Sequence, residues 1–172
     1  MNKNTKTYAA IESMWRTILN GTMLCIDPST GSRSSRPGFA WYDKGVLKES
    51  GEITVDMEAH RSKKLYEISR TIREDFPLPD ILVVEYIPPV TFRTGIKMNK
   101  VALMALQKAI GAIMAAHPFD NLLEIPPTSW RSYKPANYVK TDEMDAVCLG
   151  LCAVGVAKDI QQEYEKQERK KK

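Results

Sequence analysis

The sequence predicts an α/β protein: a mixed five-stranded sheet, with three antiparallel strands first and two further strands after them, flanked by helices. Three observations predict it. Short apolar runs bounded by turn residues alternate with segments whose apolar residues recur every three or four positions. The triplet Asp43-Lys44-Gly45 separates two strand-like runs and reads as a hairpin turn. The run Ile81 to Val84 is aliphatic throughout, as a central strand buried on both faces would be.

Residues 7 to 20 place Tyr8, Ile11, Trp15, Ile18 and Leu19 at helical spacing, which predicts an amphipathic helix ending before Gly21. The first strand is Thr22 to Ile26, and Phe39 to Tyr42 and Val46 to Ile53 form the hairpin that continues from it. From Glu58 to Phe76 the residues Leu65, Ile68, Ile72 and Phe76 mark a second amphipathic helix, which Pro77-Leu78-Pro79 terminates. The Ile81 to Val84 strand leads into a loop with Pro88, Pro89 and Phe92. Lys97 to Ala116 is helical and apolar on more than one side, which predicts burial in the core or in a subunit interface. Leu122 to Ile125 make a short strand, and Pro126-Pro127, Trp130 and Tyr133 mark a loop. A last helix starts near Thr141 and runs through Met144, Val147, Cys148, Leu151 and Val154.

With 172 residues, 43% of them hydrophobic and 27% charged, the chain has room for one core rather than two. A single domain over 1–172 is expected, with an extra N-terminal helix at about 7–20 and a basic tail at about 166–172. No stretch approaches the roughly 18 uninterrupted apolar residues of a spanning helix, and the N-terminus has no apolar signal-peptide core. This predicts a soluble intracellular protein with no membrane partner. Cys25, Cys148 and Cys152 have neither CxxC spacing nor histidine partners and read as core thiols. The net charge of +4 is too small to identify a nucleic-acid binder. Its distribution says more, because Arg93, Lys97, Lys100, Arg131, Lys134 and Lys140 fall near the acids considered next.

Two apolar runs end on carboxylates, Asp27 and Glu85, and the last helix opens with Asp142 and Asp145, three residues apart on one helical face. Each has a plain structural role open to it. Asp27 before Pro28-Ser29-Thr30-Gly31 can open a turn, and Asp142 can sit favourably at a helix start. Glu85 is harder to place, since glutamate is disfavoured in strands and rarely buried without a partner. If the first and fourth strands are neighbours, all four acids converge. Four carboxylates in one concavity repel one another and are costly to desolvate unless a cation shares the site. Hard oxygen donors select Mg²⁺ or Mn²⁺, and two such ions about 3.5–4 Å apart support phosphodiester hydrolysis, so the arrangement predicts a nuclease.

Three stretches carry a resemblance: "LCIDPSTGS…GFAWYD" from Leu24 to Asp43, "ILVVEYIPP" from Ile81 to Pro89, and "KTDEMDAVCLGL" from Lys140 to Leu151. They resemble the RuvC-like Holliday junction resolvases of the RNase H-like superfamily, particularly the phage-encoded members. The family motifs are a strand-borne IDP(G/S) aspartate, a mid-chain V-x-E glutamate and a late D-x-x-D-A pair. The resemblance spans roughly residues 22 to 157 and implies an RNase H-like fold. It further implies that Asp27, Glu85, Asp142 and Asp145 are catalytic carboxylates binding two Mg²⁺ ions, with Mn²⁺ able to substitute. The implied activity is symmetric nicking of branched DNA by a homodimer, in a bacterial cytoplasm or a phage's host cell. Lys140, Lys134, Arg131, Arg93, Lys97 and Lys100 are then candidate phosphate contacts, with Lys140 foremost. Pro88 stands where cellular relatives carry an aromatic that helps open the junction, which leaves Phe92 or Tyr86 for that role.

Three other functions compete. A nuclease for flaps or RNA–DNA hybrids would use the same acids. A catalytically idle nucleic-acid-binding protein would keep the fold, and an adaptor domain would leave its carboxylates solvated and gain no stability from divalent ions.

Overall fold

The computed structural model describes residues 5–28, 36–56, 58–86 and 100–171, with the backbone alone for 100–102. The elements in chain order are α1 (Lys6–Asn20), β1 (Thr22–Asp27), β2 (Gly38–Asp43), β3 (Val46–Glu52), α2 (Arg61–Asp75), β4 (Ile81–Glu85), α3 (Lys100–Met114), β5 (Leu122–Ile125), α4 (Pro127–Trp130) and α5 (Asp142–Lys171). The five strands form one sheet in the order β3-β2-β1-β4-β5. β1, β2 and β3 pair antiparallel, whereas β4 pairs parallel with β1, and β5 parallel with β4.

Local chemistry explains the hairpin. Lys44 and Gly45 both take positive φ, 52° and 70°, which is the backbone a two-residue turn needs to match the twist of its strands. The start of the central pair is pinned by Asp80. Its Oδ2 accepts hydrogen bonds from the Thr22 amide at 2.7 Å and the Thr22 hydroxyl at 2.9 Å, and its own amide donates to Thr22 Oγ1 at 3.1 Å. That clamp accompanies the register running from Met23 opposite Ile81 to Ile26 opposite Val84.

Strand periodicity sorts the apolar residues into two layers. Met23, Cys25, Ile81 and Val83 face α1 and α5, packing with Tyr8, Ile11, Ile18, Cys148 and Cys152. Leu24, Ile26, Leu82 and Val84 face the other way, against Ile68 and Ile72 of α2 and Ile113 at the end of α3. All three cysteines are free and buried. Burial pushes the Cys25 thiol far up, and the Cys152 thiol up to about 12, so both stay protonated at neutral pH.

Several boundaries differ from expectation. The second helix begins at Arg61, not Glu58, because Asp56 closes a turn by accepting from the Glu58 amide at 3.0 Å, and His60 then caps the helix. The stretch after β5, read as a loop, contains a one-turn helix and a 3₁₀ turn over Arg131–Tyr133. Pro127 occupies the first turn of α4, where its missing N–H costs nothing. α5 continues to Lys171, 30 residues in all. α3 buries one face, with Ala105, Leu106, Ala109 and Ile113 inside, while Met104 is 57% exposed. The expected start of that helix, 97–99, lies outside the described residues. The extra helix α1 packs along α5, and its Tyr8 and Ile11 join Leu123 and Ile125 of β5 in the buried layer on that face of the sheet. Among the described residues no helix is long and apolar enough to cross a membrane.

Candidate active site

Strand parity places the first two acids. Asp27 follows Met23 and Cys25 on the α5 face of β1, and Glu85 follows Ile81 and Val83 on the same face of β4. Because Ile26 lies opposite Val84 in parallel pairing, Asp27 and Glu85 are the next positions on adjacent strands, about 4.8 Å apart in the sheet direction. Asp27 is only 5% exposed.

The start of α5 brings the other two. Thr141 caps it, its hydroxyl accepting from the Met144 amide at 3.1 Å. The helix end sits directly on β2 at Gly38, which is the register partner of Asp27. A Cβ on Gly38 would overlap the Asp142 carbonyl and the Glu143 amide, so glycine is what permits this approach. Of the acids in that turn, Glu143 is committed to the sheet, accepting from the Ser50 hydroxyl at 2.6 Å. Asp142 and Asp145, half-buried, lie on the side toward Glu85, whose carboxyl senses both charges.

The electrostatics follow. Glu85 is held above the usual carboxylate range, chiefly by burial and further by the negative charges of Asp145 and Asp142; a hydrogen bond from Trp130 and the charge of Arg131 oppose the shift. An acid whose pKa rises on folding destabilises the fold when ionised, and the cost disappears below its unfolded pKa. In metal-free buffer Glu85→Gln is therefore expected to raise the melting temperature at pH 7, with the gain shrinking as pH falls into the carboxylate range. Thermal unfolding between pH 4 and 8 in EDTA measures this. A less stable Gln variant at pH 7 would mean that the lost charge-assisted bond from Trp130 outweighs the relief.

A single segment supplies the polar partners. Trp130, 2% exposed, donates Nε1–H to Glu85 Oε1 at 3.0 Å, and the Tyr138 hydroxyl donates to Asp145 Oδ1 at 2.5 Å. Lys134 Nζ lies 3.8 Å from the centre of the Tyr138 ring and 5.7 Å from that of Trp130, and the Arg131 guanidinium is 5.9 Å from the Trp130 ring. Burial and the Asp145 carboxylate push the Tyr138 hydroxyl far up, so it remains a donor. Burial and the same carboxylate take the Cys148 thiol up to about 11.

The structure thus puts Asp27 and Glu85 at neighbouring strand ends and Asp142 and Asp145 within electrostatic reach of Glu85, with Arg131 and Lys134 packed on the aromatics Trp130 and Tyr138. Lys140 is exposed, two residues before Asp142. Tyr86, half-buried, donates its amide to the Ile125 carbonyl at 3.1 Å and lines a groove of about 450 Å³ with the first turn of α1. Arg93, Lys97 and Phe92 lie outside the described residues, as does the Lys100 side chain. Sequence reasoning missed Trp130 and Tyr138 as partners of the acids. The one available signal was that a buried tryptophan N–H needs an acceptor; Tyr138, seven residues from Asp145, carried none.

The donor chemistry, carboxylate oxygens at two neighbouring strand ends and one helix start, is of the kind a hard divalent cation takes. Among the described residues no three acids stand close enough to cage an ion by themselves.

The strand order and the mixed pairing define an α/β fold of the RNase H-like class. Within it, the fold is RuvC-like. A structure of T. thermophilus RuvC in complex with Holliday junction substrate superposes with a TM-score of 0.58, at 14% identity, over 76% of this chain and 90% of that one. A second Thermus thermophilus RuvC structure gives a TM-score of 0.42 at 13% identity, over 84% and 96% of the two chains. No family model and no curated protein sequence matches the chain.

Proposed function

We propose that the chain is a metal-dependent endodeoxyribonuclease that resolves four-way DNA junctions by paired, symmetric phosphodiester hydrolysis. What supports this reading is the placing of Asp27 and Glu85 at the ends of adjacent parallel strands, together with the start of α5, seated on β2 at Gly38, whose Asp142 and Asp145 charges reach Glu85. The likeness to a RuvC bound to Holliday junction substrate supports branched DNA as the substrate.

In this reading Asp27, Glu85, Asp142 and Asp145 hold two divalent cations, Mg²⁺ or Mn²⁺. Such cations, when bound, supply Lewis-acid activation of water and neutralise charge developing on the phosphodiester. The chain's own groups do the rest. Lys140, Arg131 and Lys134 engage phosphates near the scissile bond without reading sequence. Glu85, half-buried and repelled by Asp145 and Asp142, is poised to exchange a proton or accept a cation. A homodimer would present two such sites to the two strands of a junction, and the outward Met104 and Met114 of α3 are exposed apolar groups suited to a second copy. The phage-type assignment rests on the three sequence stretches, and the place of action would be the bacterial cytoplasm.

The test is cleavage of an immobile four-way junction against linear duplex, flap and RNA–DNA hybrid, with Mg²⁺, with Mn²⁺ and with EDTA. Paired symmetric nicks confined to the junction, and abolished by EDTA, are the expected result. Cutting of flaps or hybrids instead would move the function to a sister nuclease, and binding without cutting would end the nuclease reading.

A further inference from the structure

We infer that Trp130 and Tyr138 are positioning residues, and that the segment carrying them, 127–138, is a strap that orients Glu85 and Asp145 for cation binding. This rests on the reading above for what the acids do. The two acids belong to different elements, one at the end of β4 and one in the first turn of α5. Both receive a hydrogen bond from the same short segment, Glu85 through the Trp130 indole at 3.0 Å and Asp145 through the Tyr138 hydroxyl at 2.5 Å. Each bond occupies one carboxylate oxygen and leaves the other to a cation. Hydrogen bonds of this kind fix the direction in which a ligating carboxylate points.

The strap is itself held rigidly. Trp130 is buried in the layer between the sheet and α5, and the Cys152 thiol meets the Ser129 carbonyl at 3.8 Å. The Tyr133 ring lies over Gly155 so closely that a Cβ there would strike it. Lys134 ties the two donors together, its ammonium over the Tyr138 ring and within 5.7 Å of the Trp130 ring centre. Arg131, its guanidinium 5.9 Å from the Trp130 ring centre, is the positive charge that Glu85 senses.

A purely structural role would make Glu85 the acceptor that a buried indole requires and nothing more. Metal affinity separates the two. The full chain is titrated with Mn²⁺ alone, free ion being followed by its paramagnetic resonance signal, for the native protein, Tyr138→Phe and Trp130→Phe, with melting temperatures taken alongside. Tyr138→Phe, which removes a single hydroxyl from a half-buried ring, is expected to weaken Mn²⁺ binding about 10-fold, the usual cost of losing a partner of a ligating group. Trp130→Phe is expected to do the same and also to lower the melting temperature. Undiminished Mn²⁺ affinity in Tyr138→Phe would overturn the inference, whatever Trp130→Phe does to the fold. If the native protein binds Mn²⁺ and the variants bind it less, but no DNA is cut, the strap stands and the nuclease reading falls. If the native protein cuts the junction and Tyr138→Phe binds Mn²⁺ equally well, only the strap falls. Absence of Mn²⁺ binding in the native protein would overturn both.

Discussion

Asp27→Asn is expected to lower junction cleavage by about 10³-fold or more. Cation stabilisation of a phosphodiester transition state contributes several kcal/mol, and each ~1.4 kcal/mol is a factor of ten in rate. The substitution keeps the shape of the side chain and removes one charge from a cluster in which Glu85 is already repelled by Asp142 and Asp145. The variant should therefore fold with an unchanged or slightly higher melting temperature and bind the junction in EDTA as the native protein does. Single-turnover cleavage at saturating Mg²⁺, with circular dichroism melting alongside, measures both. Near-native turnover would remove Asp27 from the metal site; loss of the fold would mean that its charge is structural.

Gly38→Ala is expected to be the most damaging change outside the acids. The added Cβ would overlap backbone atoms of Asp142 and Glu143, which no side-chain rotation can relieve. The start of α5 must then move away from β2. Forced overpacking of this kind costs about 1–3 kcal/mol of stability. The larger effect falls on catalysis, because displacing Asp142 and Asp145 by about 1 Å can cost on the order of 10²-fold in rate. Urea unfolding and cleavage rates test this against Gly111→Ala in α3, where a Cβ would meet nothing within 4 Å. That control should be neutral or gain about 0.5–1 kcal/mol from helix propensity. Equal behaviour of the two variants would show that α5 is not seated on Gly38 as described.

Much of this architecture is legible in the residues because it depends on short-range pattern. The hairpin at Asp43-Lys44-Gly45 follows from backbone conformations that a two-residue turn demands, and Lys44 and Gly45 adopt them. The aliphatic run Ile81 to Val84 is a central strand, flanked by β1 and β5. The period of two puts Asp27 on the face of Met23 and Cys25, and Glu85 on the face of Ile81 and Val83. Once those strands pair in parallel, the two acids must share a face and an end of the sheet.

Residue pattern alone was enough for the five strands, the longer helices, and the two acids that end β1 and β4. Which side chains stand against those acids depends on how the layers pack. Asp142 and Glu143 are neighbours with the same chemistry, yet Glu143 is tied to Ser50 on β3 while the charge of Asp142 reaches Glu85, because the seat of the helix end on β2 at Gly38 assigns their directions. Trp130 and Tyr138 became partners of Glu85 and Asp145 because a proline-bounded segment, read as a loop, crosses α5 at that height. The helix at 6–20, whose role the sequence left open, packs beside α5 on the face of the sheet at β5. The physical reason is common to these cases: strand and helix periods are set by the backbone within a few residues, whereas a hydrogen bond between residues 45 apart in the chain, such as Trp130 to Glu85, exists only when the packed layers bring its ends together.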